Sequence, residues 1–236
     1  MVERAIILAA GMGSRLRPLT DSKPKALLEY QGRTMLEHVV ERITEAGINK
    51  IIINVHHHAE MVMDFIKTKQ YSGFEIEFSD ERDLLMDTGG GILKARWFLD
   101  QKDPFLVHNI DIYSDFNLHD LFDAHISGKS LATLAVSDRE TSRNLLVDEN
   151  NLLCGWRNNT TGESIIVHQR DKLKGVAFSG IHVIDPGIFK IIDREDPFPM
   201  TNAYLELAEN YPIQTWDHTG STWVDMAHRS NFAELN

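Results

Sequence analysis

Short apolar runs alternate with stretches of helical periodicity along most of the chain. The first run, 5–10, is continuously apolar, a pattern typical of a strand that is buried on both faces. Apolar side chains then recur at helical spacing behind a capping-box pattern formed by Thr34 and Glu37, which predicts a helix over 35–46. A second apolar run, 50–55, completes a β–α–β unit, which implies that its two strands pair in parallel.

The same alternation continues to residue 225. Residues 144–156 carry a polar turn, 148–151, between two apolar segments, which predicts an antiparallel hairpin. We predict an α/β class: a Rossmann-like, mostly parallel mixed sheet flanked by helices, with this hairpin as an insertion. Ligands of such sheets bind beyond the carboxyl ends of the strands. The other predicted strands are 74–78, 105–110, 131–136, 176–184 and 222–225, and the other predicted helices are 59–69, 91–98, 118–127 and 202–209.

Length and composition are those of a globular protein. The 236 residues are 42% hydrophobic and carry a net charge of −11, which argues against general nucleic-acid binding, since phosphate backbones need clustered Lys and Arg. No apolar run approaches the roughly 18 residues that a membrane helix needs. A single cysteine, Cys154, excludes an intrachain disulfide framework. We therefore expect a soluble, cytoplasmic protein without nucleic-acid or membrane partners.

A glycine-rich, basic loop follows the first predicted strand. Its two glycines allow backbone N–H groups to approach an anion closely. Its arginine offers a planar group suited to phosphate oxygens, its lysine offers a compact charge, and two alanines leave room for a flat ring. Together these residues predict a cradle for a polyphosphate and a base, although the loop matches neither the dinucleotide fingerprint nor the P-loop. They are Ala9, Ala10, Gly11, Gly13, Arg15 and Lys25.

The whole string 8–28 resembles the LAAGxGxRLxPLT…PKxL signature of the sugar-phosphate nucleotidyltransferases. The resemblance extends through the strings DTGGGI at 87–92, NID at 109–111, FSGI at 178–181 and WVD at 223–225. These strings are similar to those of N-acetylmuramate 1-phosphate uridylyltransferases, with mannose-1-phosphate guanylyltransferases as near neighbours. The resemblance implies the fold of the nucleotide-diphospho-sugar transferases, which is GT-A-like.

The resemblance also implies how the chain divides and which residues act. It implies one domain, 1–236, with a nucleotide-binding half, 1–112, and a sugar-phosphate-binding half, 113–236. Arg15 is expected on the β- and γ-phosphates and Lys25 near the α-phosphate and the sugar phosphate. The residues expected to bind nucleotide are Leu8, Ala9, Ala10, Gly11, Gly13, Arg15, Asn54, Thr88, Gly89 and Gly90, and those expected to bind the sugar phosphate are Lys25, Asn109, Ser179 and Gly180.

Two aspartates, Asp111 and Asp225, each stand at the carboxyl end of a predicted strand. Carboxylate oxygens suit Mg²⁺, which takes one or two carboxylates together with substrate phosphates. Spacing alone does not bring the two side chains together, but the resemblance implies that both hold Mg²⁺. The chain departs from the family pattern beside both residues, because Asn-Ile-Asp stands at 109–111 for Asn-Gly-Asp and Asp-Met-Ala-His stands at 225–228 for Asp-x-Gly-Thr.

The activity implied by the resemblance is that of an enzyme of the EC 2.7.7 type, with catalytic roles for Arg15, Lys25 and Asp111. It would join a nucleoside triphosphate, with UTP favoured and GTP next, to a sugar 1-phosphate. In-line attack assisted by Mg²⁺ would give a nucleotide sugar and pyrophosphate. We expect a monomer or a homodimer.

Two alternatives stay open. One is a cytidylyltransferase for a phosphorylated amino alcohol such as phosphocholine, for which Trp156, Trp216 and Trp223 could supply an aromatic cage. The other is a regulatory protein that binds a nucleotide without turning it over.

Overall fold

The computed structural model describes residues 1–69, 71 and 73–227. The helices are α1 (Met35–Glu45), α2 (Ala59–Lys69), α3 (Asp87–Lys94), α4 (Arg96–Leu99), α5 (Leu118–Gly128) and α6 (Met200–Ala208). The strands are β1 (Arg4–Leu8), β2 (Glu29–Tyr30), β3 (Arg33–Thr34), β4 (Lys50–Val55), β5 (Glu75–Asp80), β6 (Phe105–Asn109), β7 (Ile112–Ser114), β8 (Ala132–Ser137), β9 (Arg143–Val147), β10 (Leu153–Asn158), β11 (Ser164–Ile166), β12 (Lys174–Ile184), β13 (Ile213–Asp217) and β14 (Trp223–Asp225).

Ten strands form the main sheet, whose path runs β11-β10-β9-β12-β6-β1-β4-β5, with β8 beside β12 and β13 beside β8. Strand β1 pairs in parallel with both β4 and β6, as the predicted β–α–β unit requires. Strand β12 brings antiparallel pairing into the second half, because it pairs in that sense with β6, β8 and β9, whereas β13 pairs with β8 in parallel. The predicted hairpin is also present as β9 and β10. The predicted fold class is therefore confirmed.

Apolar cores cover both faces of the sheet, which explains the continuous apolar run in β1. Ile6 and Leu8 lie in one core, while Ala5 and Ile7 lie in the other. Helix α1 begins with the predicted capping box, in which Thr34 Oγ1 accepts from the Glu37 N–H at 3.2 Å and Glu37 Oε2 accepts from the Thr34 N–H at 2.8 Å. Within the described residues, no helix is long and apolar enough to cross a membrane.

The structure corrects several predicted boundaries near the carboxyl edge of the sheet. Strand β1 ends at Leu8 rather than at residue 10, because the next two N–H groups bond to the side chain of Asn54 instead of to a strand. Helix α3 begins at Asp87, so the glycines at 89–91 lie inside it and not in front of it. Strand β14 does not join the main sheet but forms a separate antiparallel pair with β7, a strand that the apolar pattern did not reveal.

Candidate active site

A cavity of about 510 Å³ opens beyond the carboxyl ends of β1, β4 and β6. Its lining includes half of the residues singled out in the sequence: Leu8, Ala10, Gly11, Lys25, Asn54, Thr88, Asn109 and Asp111. The remaining lining residues are Leu85, Asp87, Ile110 and Pro197. The other singled-out residues lie outside this lining: Ala9, Gly13, Arg15, Gly89, Gly90, Ser179, Gly180 and Asp225. The structure thus gathers half of the proposed residues, among them Gly11, Lys25 and Asp111, at the edge where ligands of parallel sheets bind.

The glycine-rich loop uses its two glycines differently. Gly13 has a φ of +61°, and a side chain there would come within 2.8 Å of Thr20, whose hydroxyl donates to the Gly13 carbonyl at 2.8 Å. This contact folds the loop back on itself. Gly11 faces open space, with no atom within 4 Å of where a side chain would begin. Gly13 therefore shapes the loop, while Gly11 leaves the cavity wall open for a ligand.

Arg15 lies on the exposed face of this loop, in the 3-10 turn Ser14–Leu16. It makes no ion pair with a carboxylate of the described residues, whereas the neighbouring Arg17 pairs with Asp21 at 3.4 Å. The guanidinium of Arg15 is therefore available to an anion that enters beside the loop.

Asn54 lines the cavity and also bonds to the backbone of the glycine-rich loop. Its side chain is buried, and its Oδ1 accepts from the N–H groups of Ala9 at 2.6 Å and Ala10 at 3.2 Å. Its Nδ2 donates to Glu81 Oε1 at 2.8 Å. The polar groups of Asn54 thus hold the start of the loop at the wall of the cavity. Glu81 escaped the sequence analysis because it stands among the charged residues of 80–83, which are typical of a solvated turn.

Lys25 and Asp111 meet on the wall of the cavity. Lys25 begins the 3-10 turn Lys25–Leu27, and its ammonium group is in direct contact with Asp111 Oδ2. The side chains of the two residues are only 10% and 15% exposed. Ile110, which replaces the family's glycine, is buried in the core behind Asp111, and its N–H donates to the Leu8 carbonyl at 3.1 Å. This departure from the pattern therefore leaves Asp111 at the edge of the cavity.

Asp225 is brought beside Asp111 by the pairing of β14 with β7. Asp225 lies opposite Ile112, and the next N–H, that of Met226, donates to the carbonyl of Asp111 at 2.7 Å. Asp225 Oδ1 also accepts from the N–H of Ala227 at 2.7 Å. Met226 and Ala227, which belong to the segment where the chain departs from the family pattern, are both buried. The histidine at 228, the last departure noted in the sequence, lies outside the described residues.

The chemistry of this pair of carboxylates limits which metal site it can form. Within residues 1–69, 71 and 73–227, no group of three or more His, Cys, Asp or Glu side chains is placed to hold an ion. An all-protein cage is therefore not supported. Two neighbouring carboxylates do fit the hard cation Mg²⁺, which commonly completes its coordination with water and substrate phosphate oxygens.

The glycines at the start of α3 serve close packing. The Gly89 N–H donates to the Phe198 carbonyl at 2.8 Å, and a side chain at Gly89 would overlap the Phe198 ring. The Gly90 N–H points to the same carbonyl at 3.4 Å. Thr88 lines the cavity, and its hydroxyl accepts from the Met200 N–H at 2.8 Å. The expected nucleotide contact at this loop therefore narrows to Thr88, because the N–H groups of the two glycines already have a partner.

Ser179 and Gly180 support the wall from behind. Ser179 is completely buried, and its hydroxyl bonds to His218 Nε2 at 2.6 Å, so it is not exposed to a sugar phosphate. Gly180 has a φ of +74°, and a side chain there would lie 2.8 Å from Nδ2 of Asn109. Gly180 thus makes room for Asn109, which is the member of this trio that lines the cavity.

Arg139 is a further residue that the sequence analysis missed. Its guanidinium donates to Ser137 Oγ at 2.8 Å and to the Phe178 carbonyl at 2.6 Å, and it lies 3.6 Å from the centre of the Trp223 ring. Burial lowers the pKa of Arg139, and the nearby charge of Asp225 opposes that shift. Arg139 therefore anchors the start of β14, the strand that carries Asp225.

The three tryptophans proposed for an aromatic cage do not converge. Trp156 packs against the core on one face of the sheet, whereas Trp216 and Trp223 pack against the core on the other face. The face of Trp223 is covered by Arg139. This arrangement gives no support to the recognition of a quaternary ammonium group.

Comparisons with known proteins identify the family of the chain. The family model described as nucleotidyl transferase matches residues 4–145. The chain is 29% identical to N-acetylmuramate alpha-1-phosphate uridylyltransferase of Caulobacter vibrioides, over 98% of this chain and 97% of that protein. It is 27% identical to the catalytic subunit beta of mannose-1-phosphate guanylyltransferase of Drosophila melanogaster, over 97% of this chain and 60% of that protein. The chain thus spans about three fifths of the length of that guanylyltransferase subunit.

Solved structures share the fold over almost the entire chain. HddC from Yersinia pseudotuberculosis has a TM-score of 0.78 at 18% identity, over 99% of this chain and 97% of that one. UDP-glucose pyrophosphorylase from Acinetobacter baumannii has a TM-score of 0.77 at 17% identity, over 99% of this chain and 92% of that one. At such low identities the likeness establishes the fold alone.

Proposed function

Because the chain belongs to the nucleotidyl transferase family, within which it resembles the sugar-phosphate enzymes, we propose that it transfers a nucleotidyl group from a nucleoside triphosphate to a sugar 1-phosphate. One observation carries the proposal. Lys25 contacts Asp111 on the wall of the 510 Å³ cavity, and the strand pairing sets Asp225 beside them. The cavity therefore joins a cationic group, the Asp111 carboxylate and an open glycine loop at the place where a triphosphate would enter, with Asp225 next to Asp111 outside the lining.

The proposed reaction is a direct displacement at the α-phosphorus. A phosphate oxygen of the sugar 1-phosphate forms the new P–O bond, and the bond to the bridging oxygen of the β-phosphate breaks, so pyrophosphate leaves with the electron pair. The attacking phosphate is already ionised at neutral pH, and no general base is needed. The work of the protein is thus positioning and charge neutralisation.

Both reactants are anions, so their approach has to be made favourable. Two unit charges 4 Å apart repel by about 4 kcal/mol at an effective dielectric constant of 20. Lys25 would place its ammonium group between the α-phosphate and the sugar phosphate. Arg15, exposed beside the loop, would contact the outer phosphates that depart as pyrophosphate.

Asp111 and Asp225 would hold Mg²⁺ together with phosphate oxygens of the substrates. The bound ion would supply additional positive charge at the phosphates. Lys25 contacts the Asp111 carboxylate, so its ammonium group would lie beside the ion and the phosphates that the ion binds.

The base and the sugar are proposed from the relatives. UTP is favoured, because the relative that matches over nearly the whole of both chains is named a uridylyltransferase, and GTP is next, because another relative is named a guanylyltransferase. The first acceptors to test are N-acetylmuramate 1-phosphate and mannose 1-phosphate, which those names imply.

A pyrophosphate-release assay tests the proposal. The protein is incubated with Mg²⁺, with each of UTP, GTP, CTP and dTTP, and with a panel of sugar 1-phosphates and phosphocholine. We expect pyrophosphate and a nucleotide sugar in equal amounts, with UTP and one hexose 1-phosphate as the best pair. Tight nucleotide binding without pyrophosphate from any pair would contradict the proposal and favour a regulatory protein.

A further inference from the structure

A buried carboxylate, that of Glu81, lies behind the cavity between its two walls. The Glu81 side chain has no exposed surface, and it forms no ion pair with a Lys, Arg or His of the described part of the chain. Its Oε1 accepts from Asn54 Nδ2 at 2.8 Å, and its Oε2 accepts from the Met86 N–H at 3.0 Å. Burial raises the pKa of Glu81, and the two hydrogen bonds and the more distant charges of Lys94 and His56 oppose that shift. Because burying a carboxylate that forms no ion pair is costly, a role other than stability has to be considered.

The carboxylate determines which way the Asn54 amide faces. An amide presents an acceptor on one side and donors on the other, whereas an ionised carboxylate only accepts. Glu81 therefore requires the Nδ2 group of Asn54 on its own side. The oxygen of Asn54 is then left facing the N–H groups of Ala9 and Ala10, to which it bonds.

The same carboxylate also holds the opposite wall. Through the Met86 N–H, Glu81 is bonded to the residue that precedes α3, next to Asp87 and Thr88 of the cavity lining. The hydrogen bond between Asn54 and Glu81 is called the Asn54–Glu81 bridge below. Helix α3 packs directly on this bridge, because a side chain at Gly91 would lie 2.8 Å from both Asn54 Nδ2 and Glu81 Oε1. Glu81 thus connects the glycine-rich loop on one side of the cavity, which is called the phosphate loop below, with the start of α3 and its residue Thr88 on the other side.

We propose that Glu81 is a positioning residue for nucleotide binding: its carboxylate orients the Asn54 amide, and that amide sets the backbone of the phosphate loop at Ala9 and Ala10. Glu81 does not line the cavity and does not touch the nucleotide. This inference rests on the proposed function for the nature of the ligand, a nucleoside triphosphate.

The variant Glu81→Gln separates orientation from packing. It keeps the shape of the side chain but offers both a donor and an acceptor, so the Asn54 amide can turn over and present its NH₂ group to two N–H groups. We expect the Kd for a non-hydrolysable UTP analogue to rise by about tenfold, on the scale of one charge-assisted hydrogen bond. The KM for the sugar 1-phosphate should stay unchanged, because Glu81 lies outside the cavity lining. The thermal midpoint should stay far enough above the assay temperature for the variant to be fully folded.

Two further variants make the result interpretable. Ser79→Ala removes a buried hydroxyl without a hydrogen-bond partner from β5, the strand that ends one residue before Glu81, and should change neither the Kd nor the midpoint. Asn54→Ala should weaken nucleotide binding, and adding Glu81→Gln to it should cause no further loss, because the two side chains act through one bridge.

Each outcome decides a separate question. A Glu81→Gln variant that binds the analogue as well as the unchanged protein does would overturn the inference, and so would a fall in midpoint that accounts for weaker binding. If the unchanged protein binds none of UTP, GTP, CTP and dTTP, the proposed function fails as well. Binding by the unchanged protein together with selective loss in Glu81→Gln and Asn54→Ala would support the inference.

Discussion

The ammonium group of Lys25 contacts the carboxylate of Asp111, although 86 positions separate the two residues in the chain. This contact joins the glycine-rich loop to the segment that follows β6. It places a cation and a proposed metal-binding carboxylate, both of which the proposed reaction needs, on one wall of the cavity. The strand pair β7–β14 then adds Asp225 on the other side of Asp111.

The first prediction concerns the charge of Lys25. Lys25→Ala should lower kcat/KM by about 100-fold or more, on the scale of losing one group that stabilises charge in the transition state. The rate of pyrophosphate release measures this. Lys23→Ala is the matched control, since Lys23 belongs to the same loop but pairs with Glu29 at 3.5 Å on the surface. An equal loss in the two variants would assign the effect to the general charge of the loop.

The second prediction concerns the two aspartates. Asp111→Asn and Asp225→Asn should each raise the Mg²⁺ concentration needed for half-maximal activity, because each replaces a charged oxygen ligand with a neutral amide. A Mg²⁺ titration of activity measures the shift. Asp64→Asn, which changes an exposed carboxylate paired with Lys67, should leave the titration unchanged. Unaltered Mg²⁺ dependence in the Asp225 variant would remove that residue from the site.

The third prediction distinguishes packing glycines from open ones. Gly89→Ala should lower the free energy of unfolding by about 1–3 kcal/mol, because the new methyl group overlaps the Phe198 ring. Gly11→Ala meets no atom within 4 Å and should leave stability unchanged while weakening nucleotide binding. Denaturant unfolding and nucleotide titration of both variants test this contrast. A stable Gly89→Ala protein with impaired binding would restore the original expectation that Gly89 contacts the ligand.

The fourth prediction concerns stability in acid. Burial lowers the pKa of His182 from 6.5 to about 3, so the folded protein holds this ring neutral while the unfolded chain takes up a proton. The free energy of unfolding should therefore fall as the pH drops from about 6.5 towards 3, by about 1.4 kcal/mol per pH unit for this histidine. In His182→Phe, whose ring can pack between Phe178 and Tyr204, the slope should decrease by that amount. Identical slopes in the two proteins would show that His182 does not titrate in this way.

The sequence predicted those parts of the site that depend on local hydrophobic periodicity and on residue type. The apolar run of β1, the open position at Gly11 and the strand-end position of Asp111 could all be found by periodicity and residue chemistry. The resemblance then supplied Asp225, whose partner strand β7 is too short, at three residues, to stand out by hydrophobic alternation.

What the sequence could not reveal depends on side-chain partners. Ser179 lies in a predicted strand and in the string FSGI, which resembles the family. Its hydroxyl, however, is hydrogen-bonded to His218, which is 39 residues away in the chain. Asn54 lines the cavity as expected of a nucleotide-binding residue, but its hydrogen bonds to Ala9, Ala10 and Glu81 could not be predicted. These assignments need coordinates, because several hydrogen-bond partners compatible with the sequence compete for each polar group.

A structure of the protein with a non-hydrolysable UTP analogue, a sugar 1-phosphate and Mg²⁺ tests the central claim most directly. We expect the α-phosphate beside Lys25, the ion between the carboxylates of Asp111 and Asp225, and the sugar phosphate in line for attack. A complex in which the nucleotide binds away from the 510 Å³ cavity, with the contact between Lys25 and Asp111 undisturbed, would contradict it.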